Sequence, residues 1–350
     1  MSERAPLRAA IIGCGHISQQ HIPAWQACPD AELVAVCDLD REKAEQRARQ
    51  FGVPRVYTDV AAMLRDEPLD CVDVATRPES HRALTALISG QGKHVLCQKP
   101  LAPTMDEAQE IVRIAESNGV RFMVLEMFRH IPGYLDIKRY LDQGLIGPVH
   151  AMRILGLRRP MNRSHPVNPE QPYFAEMPKL LVYEMVIHWI DAARSVLGDV
   201  DTVYSRMVRV NPIIAGEDQA LVVLGHTSGA TTLIDSSWAS PSERGPSALG
   251  VGGGDTLVEG RDGSLHLDAQ TAELRHVTND GVTVLERYGT DRRGPSQAFA
   301  GCIADFAGAI RHGRPFVSDG HDNLKTLAAT LAAYESAAGS RVVPVGGLAL

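Results

Sequence analysis

The sequence has no C-x-x-C pair, no excess of positive charge and no uninterrupted apolar run approaching bilayer length. Each absence excludes a class of function. A membrane-crossing helix needs ~18–20 consecutive apolar residues, so neither a membrane span nor a membrane partner is expected. The formal net charge is −7, which offers no field to hold nucleic-acid phosphates. The pairs Arg158-Arg159 and Arg292-Arg293 are too short to reverse that and read as solvated surface. Five of the six cysteines, at 14, 28, 37, 71 and 97, fall in the first third among apolar strand residues, with Cys302 apart. That usage fits buried free thiols in a reducing cytoplasm better than disulfides or a zinc site. Residues 1–6 are too short and polar for a signal peptide. Internal repeats and low-complexity segments are also missing.

What is present is a change of grammar partway along 350 residues, enough chain for two cores. Up to residue 126, short strands rich in Val and Ile (9–12, 33–37, 71–75, 94–97, 122–125) alternate with helical segments such as 41–51 and 105–118. Continuous apolar strands separated by helices predict a parallel sheet covered on both faces. Beyond it come a helix over 133–143, a strand over 149–157, a polar, proline-rich stretch over 158–179 and a helix over 180–197. Alternating strands follow at 202–210, 220–226, 230–237, 257–259, 265–267 and 282–287, with a closing helix at 321–338. Turn signals at 227–229 and 261–263 make hairpins of neighbouring strands. The expected architecture is an α/β dinucleotide-binding domain over 1–128. An α+β domain over 129–350 follows, built on a large, open, mainly antiparallel sheet.

"IIGCGHISQQHIPAW" follows the first strand and opens a helix. Gly13 suits the tight turn, and Gly15 lets the backbone approach a pyrophosphate at the helix N-terminus. Ser18 stands where a third glycine would be. Asp38 ends the second strand twenty residues past Ser18, where a carboxylate binds a ribose 2′-hydroxyl and repels a 2′-phosphate, favouring NAD over NADP. Asp40 is free to cap the helix at 41–51 in its place.

In "KLLVYEMVIHWIDAARSVLG", Glu184, His188 and Asp191 stand at i, i+4 and i+7, one face of an otherwise apolar α-helix. A satisfied core pair, a metal site and acid/base catalysis all fit such a stripe. No further cluster with ligand spacing supports a metal. A nicotinamide cofactor favours catalysis, because oxidising an alcohol requires removal of its proton. His188 suits that transfer. Lys99, at the end of "GKHVLCQKP", sits where ligands of parallel sheets bind and can donate to the oxygen as charge develops.

Taken together, these segments resemble the Gfo/Idh/MocA family of sugar and polyol oxidoreductases essentially end to end. "IIGCGHIS" resembles the family's nucleotide turn, "ATRPESH" its second cofactor loop, "GKHVLCQKPLA" its E-K-P strand end and "EMVIHWIDAARSVLG" its D-x-x-x-H-x-x-D helix. "EGRDGSLHLD" and "DGHDNLKTLAATLAAYESA" resemble its late strands and closing helix. The resemblance implies a Rossmann domain and an open sheet whose face mediates dimers or tetramers. It implies catalytic roles for Lys99, Glu184 and His188. Gly13, Cys14, Gly15, His16, Ile17, Thr76, Pro78, His81, Gln98 and Lys99 would lie along the cofactor, and Lys99, Arg129, Tyr183, Glu184 and His188 beside the substrate. The polar stretch over 158–179 reads either as a substrate wall to which Arg158 contributes a donor or as a surface loop. Two departures stand out. Gln98 replaces the glutamate of E-K-P, removing a charge beside Lys99, and Glu184 replaces an aspartate. The pairing of "CQKP" with "YEMVIHWID" is most similar to the D-apiose dehydrogenase-like branch. It implies oxidation of an aldose to its lactone. The alternatives are a redox-neutral sugar enzyme that keeps its NAD and a non-catalytic NAD(H) sensor; loss of Lys99 and His188 would mark the sensor.

Overall fold

The structure is a computed structural model that describes residues 5–158, 171–239, 254–289 and 296–347. The described residues form two compact units, one drawn from 1–127 and 293–324, the other from 128–292 and 325–350.

In the first unit the strands are β1 (Leu7–Ile12), β2 (Ala31–Cys37), β3 (Arg55–Tyr57), β4 (Cys71–Val74), β5 (His94–Gln98) and β6 (Phe122–Leu125). Between them run α1 (Ser18–Gln26), α2 (Arg41–Phe51), α3 (Val60–Asp66), α4 (His81–Ser89) and α5 (Met105–Ser117). All pairings are parallel, in the order β3-β2-β1-β4-β5-β6. The order reverses between β1 and β4, the crevice where open α/β sheets bind ligands. Strand residues such as Ile11, Val36, Val72 and Leu96 are fully buried, as a sheet covered on both faces requires. Helix boundaries follow local chemistry: Asp40 caps α2 by accepting from Glu42 N and Lys43 N, and Gly52 ends it in the left-handed region. All six cysteines are buried and unpaired by disulfides. Burial pushes the Cys14 and Cys37 thiols up to about 12, so they are not nucleophiles.

The second unit carries α6 (Pro132–Asp142), β7 (Val149–Arg158), α7 (Ile187–Leu197), β8 (Val200–Val208), β9 (Gln219–His226), β10 (Thr231–Ser237), β11 (Asp255–Gly260), β12 (Gly263–Asp268), β13 (Glu273–Thr278) and β14 (Gly281–Arg287). Its sheet has the order β14-β13-β12-β11-β7-β10-β9-β8-β15, where β15 is Val343–Pro344, and every pairing is antiparallel except β7 with β10. One face buries Ile154, Val222, Ile234, Val258 and Leu265. Gly156 is where α7 meets this face, since a Cβ there would lie 2.6 Å from the Trp189 ring. The other face leaves Tyr204, Leu221, Val282 and Val284 exposed.

The linear division at 128 misses a return of the chain. Helix α8 (Gln297–His312) belongs to the first unit, where Phe299 packs on His21 and Phe306 on Trp25 of α1. Helix α9 (Gly320–Gly339) begins in the first unit and continues in the second. Among the described residues, no helix is long and apolar enough to cross a membrane.

Candidate active site

The nucleotide turn follows β1. Gly13 has φ +101°, and a Cβ there would stand 2.5 Å from the Ala75 carbonyl oxygen, so only glycine permits this crossing. Gly15 is exposed with open space where a Cβ would point, and no side chain caps the start of α1. Together they leave a helix N-terminus that an anion can reach. Ser18 Oγ donates to the Gly15 carbonyl at 2.6 Å and closes the turn in place of the third glycine. Asp38 accepts from Cys14 N at 2.7 Å and from Asp40 N at 2.9 Å. Its carboxylate is thus bound to the turn itself, half-buried at the end of β2. Cys14 is buried, whereas His16 and Ile17 are half-buried beside Gly15. This cradle fits an adenine dinucleotide: a glycine-lined helix start for the pyrophosphate and a carboxylate for the ribose.

The second loop follows β4. Thr76 Oγ1 and Ser80 Oγ are hydrogen-bonded at 2.6 Å, and Pro78 opens the short turn between them. His81, placed along the cofactor by resemblance, has no exposed surface. Its Nδ1 lies 3.0 Å from the Leu101 carbonyl and its Nε2 3.1 Å from that of Thr76. It is a strut beneath the loop: one ring N–H donates to one of these carbonyls and the other nitrogen is enclosed against the second, which leaves no polar atom for a ligand.

Burial holds His81, and likewise His94 and His226, below the ordinary histidine value. In the unfolded chain these rings take protons near pH ~6.5, whereas in the folded chain they resist until lower pH. Unfolding therefore binds protons in that window, and stability falls as the medium is acidified. Thermal unfolding followed from about pH 7.5 to about pH 5.5, above the carboxylate range, should show a declining midpoint. A flat or rising midpoint would sink this assignment.

Lys99 is half-buried at the carboxyl end of β5. Gln98, buried before it, accepts the Lys99 backbone N–H on Oε1 at 2.7 Å.

In the second unit the expected uninterrupted α-helix over 180–197 is not what forms. Val182–Val186 is one π-helical turn, in which Ile187 N reaches back to the Val182 carbonyl, and α7 starts after it. The cause lies at the helix entrance. Glu217, buried, accepts from Leu180 N and Val182 N, while Tyr334 Oη donates to Glu217 at 2.6 Å and accepts from Tyr183 N at 3.1 Å. Outside groups thus take the first N–H donors, and the wider turn is tolerated, as at many functional sites. Burial and the facing Glu217 carboxylate push the Tyr334 phenol far up, so it stays a neutral donor.

The polar stripe divides accordingly. Glu184 is half-exposed, and His188 is buried with its ring stacked on Phe128, centroids 4.4 Å apart. Asp191 is fully buried and serves structure: it accepts Arg129 through both carboxylate oxygens and Thr326 Oγ1 at 2.8 Å. Arg129, expected beside the substrate, is therefore a buried partner of Asp191. Tyr183 is buried at the π turn. The expectations for the Arg158 side chain and for 159–170 lie outside the described residues. Among the described residues, no group of three or more His, Cys, Asp or Glu is placed to hold a metal ion.

Sequence reasoning missed Glu217, Tyr334, His21 and Asp73. Only Asp73 carried a signal: a lone carboxylate within "CVDV" implies a buried partner.

Comparison with known proteins agrees with this architecture. Residues 7–126 match the model of an oxidoreductase family with an NAD-binding Rossmann fold, and residues 134–266 match the Gfo/Idh/MocA C-terminal domain. The chain is 36% identical to the D-apiose dehydrogenase of Paraburkholderia graminis, over 97% of this chain and 90% of that one. It is 33% identical to the D-apiose dehydrogenase of Rhizobium rhizogenes, over 98% of both. An oxidoreductase from Agrobacterium radiobacter, solved with NAD+, L-tartaric acid and magnesium, superimposes with a TM-score of 0.89 at 33% identity, covering 98% of this chain and 100% of that one. The chain belongs to the Gfo/Idh/MocA family of NAD-binding oxidoreductases.

Proposed function

We propose that the protein is an NAD-dependent sugar dehydrogenase that oxidises an aldose such as D-apiose at its anomeric carbon, giving the lactone. The observation that carries this reading is similarity to two D-apiose dehydrogenases over nearly the whole chain. NAD, when bound, would supply the acceptor for the hydride. Lys99 donates to the substrate oxygen as its proton leaves, His188 takes that proton, and Glu184 tunes the imidazole. The stacking on Phe128 supports the role of His188, since it holds the ring in one plane. Gly13, Gly15 and Asp38 hold the dinucleotide, with Cys14, His16, Ile17, Thr76 and Pro78 around them.

The protein works in the cytoplasm as a homodimer or homotetramer. Six buried thiols suit the first statement, and the exposed Tyr204, Leu221, Val282 and Val284 on the open sheet face suit the second.

The test is the near-ultraviolet absorbance of NADH across pentoses, hexoses, apiose, inositols and uronic acids, with NAD and NADP. NADH production from apiose or a related furanose is the expected result. Silence across the panel, with NAD co-purifying, would replace the dehydrogenase by a redox-neutral sugar enzyme.

A further inference from the structure

Strand β4 is apolar except for Asp73, whose carboxylate has no exposed surface. Its Oδ2 accepts from Trp25 Nε1 at 2.7 Å and lies 2.7 Å from His21 Nδ1. The other ring nitrogen, His21 Nε2, lies 2.9 Å from Gln98 Nε2. Gln98 Oε1 accepts the Lys99 backbone N–H. Four side chains and one peptide thus form a continuous buried path within the first unit.

Proton positions along it follow from a group without a choice. A backbone N–H only donates, so Gln98 must present its carbonyl oxygen to Lys99 and its NH2 to His21. An amide NH2 also only donates, so His21 Nε2 must be a bare lone pair. The ring proton then sits on Nδ1 and points at Asp73, which accepts Trp25 N–H on the same oxygen. Phe299 lies against the imidazole, centroids 5.2 Å apart, and restrains its tilt.

We infer that Asp73 and His21 are positioning residues for Lys99: they fix the Gln98 amide, and that amide holds the peptide from which the lysine leaves β5. The inference rests on the proposed role of Lys99. An amide carries no proton onward, so the path orients and does not relay. It also accounts for glutamine at 98. A carboxylate there would present only lone pairs to His21 Nε2, forcing a second proton onto a ring between two carboxylates. Gln98 and His21 are a matched pair.

Two measurements test this on the full chain. The first is ¹⁵N NMR of histidine-labelled protein at neutral pH, with His21 assigned by its loss in His21→Gln. The proton should reside on Nδ1 alone; a proton on Nε2 overturns the inference whatever Lys99 does. The second is kinetic. His21→Leu, which removes the acceptor, should lower kcat about tenfold while KM for NAD stays within about twofold. His21→Gln, whose Oε1 can accept from Gln98, should recover part of that loss. Equal losses in both variants, or parallel changes in kcat and KM, would mean that His21 only fills space. Lys99→Ala run in parallel separates the two ideas. Retained turnover there ends the reading of Lys99, and the NMR result still reports the tautomer independently.

Discussion

Replacing Lys99 by alanine should lower turnover by about a hundredfold or more, while NAD affinity stays within a few-fold of the parent. The two effects part company because they draw on different atoms. In the proposed reading, dinucleotide binding rests on the turn at Gly13–Ile17 and on Asp38, bonded to Cys14 N and Asp40 N. Lys99 directly follows β5 instead, at the end of the sheet where ligands bind. In the proposed mechanism its ammonium is needed only once the substrate oxygen begins to lose its proton, so its removal should raise the barrier without loosening the ground state. Arginine should not rescue, since a planar fork replaces a compact charge. Steady-state kcat with saturating sugar, set beside fluorescence titration with NAD, checks both halves. Turnover within tenfold of the parent would remove Lys99 from the chemistry.

The second large effect is on stability. Arg129→Met should cost about 3–5 kcal/mol, because it strands the Asp191 carboxylate in the interior. Asp191 has no exposed surface, and the Thr326 hydroxyl that also donates to it does not neutralise its charge. The double variant Arg129→Met with Asp191→Leu should regain much of the loss, since a buried ion pair is often replaceable by well-packed apolar groups. Urea unfolding of the single and double variants gives the comparison. A single-variant loss below about 1 kcal/mol would mean the pair is solvated and that Arg129 is available to a ligand after all.

Much of the nucleotide half was legible because its determinants are local. Glycines at 13 and 15, an acid after the second strand and runs of Val and Ile specify a turn, a carboxylate bound to that turn and buried strands within forty residues. Strand β3 escaped notice because Arg55–Tyr57 is too short to show a period, and β13 because "ELRHVT" is half polar. The π turn was invisible for a different reason. A 3.6-residue period assumes its own continuity, and the groups that break it, Glu217 and Tyr334, come from distant segments. The meaning of Gln98 was half legible. Its sequence position reveals a missing charge, but His21 and Asp73 supply the complementary hydrogen bonds through the fold. Arg129 misled because an arginine beside a ligand and an arginine in a buried pair look alike in one dimension.

The late return of α8 to the first unit sets an order of events during synthesis. Phe299 and Phe306 are what cover His21 and Trp25 on α1. When the sixth parallel strand leaves the ribosome, that aromatic seam is still open, and it stays so until residues 293–324 have been made. The nascent nucleotide-binding sheet therefore waits, incomplete, through translation of β7 to β14 of the second sheet. Helix α1 is among the first elements made and is covered only after most of the chain exists, which makes that interval a period when the protein needs protection from aggregation.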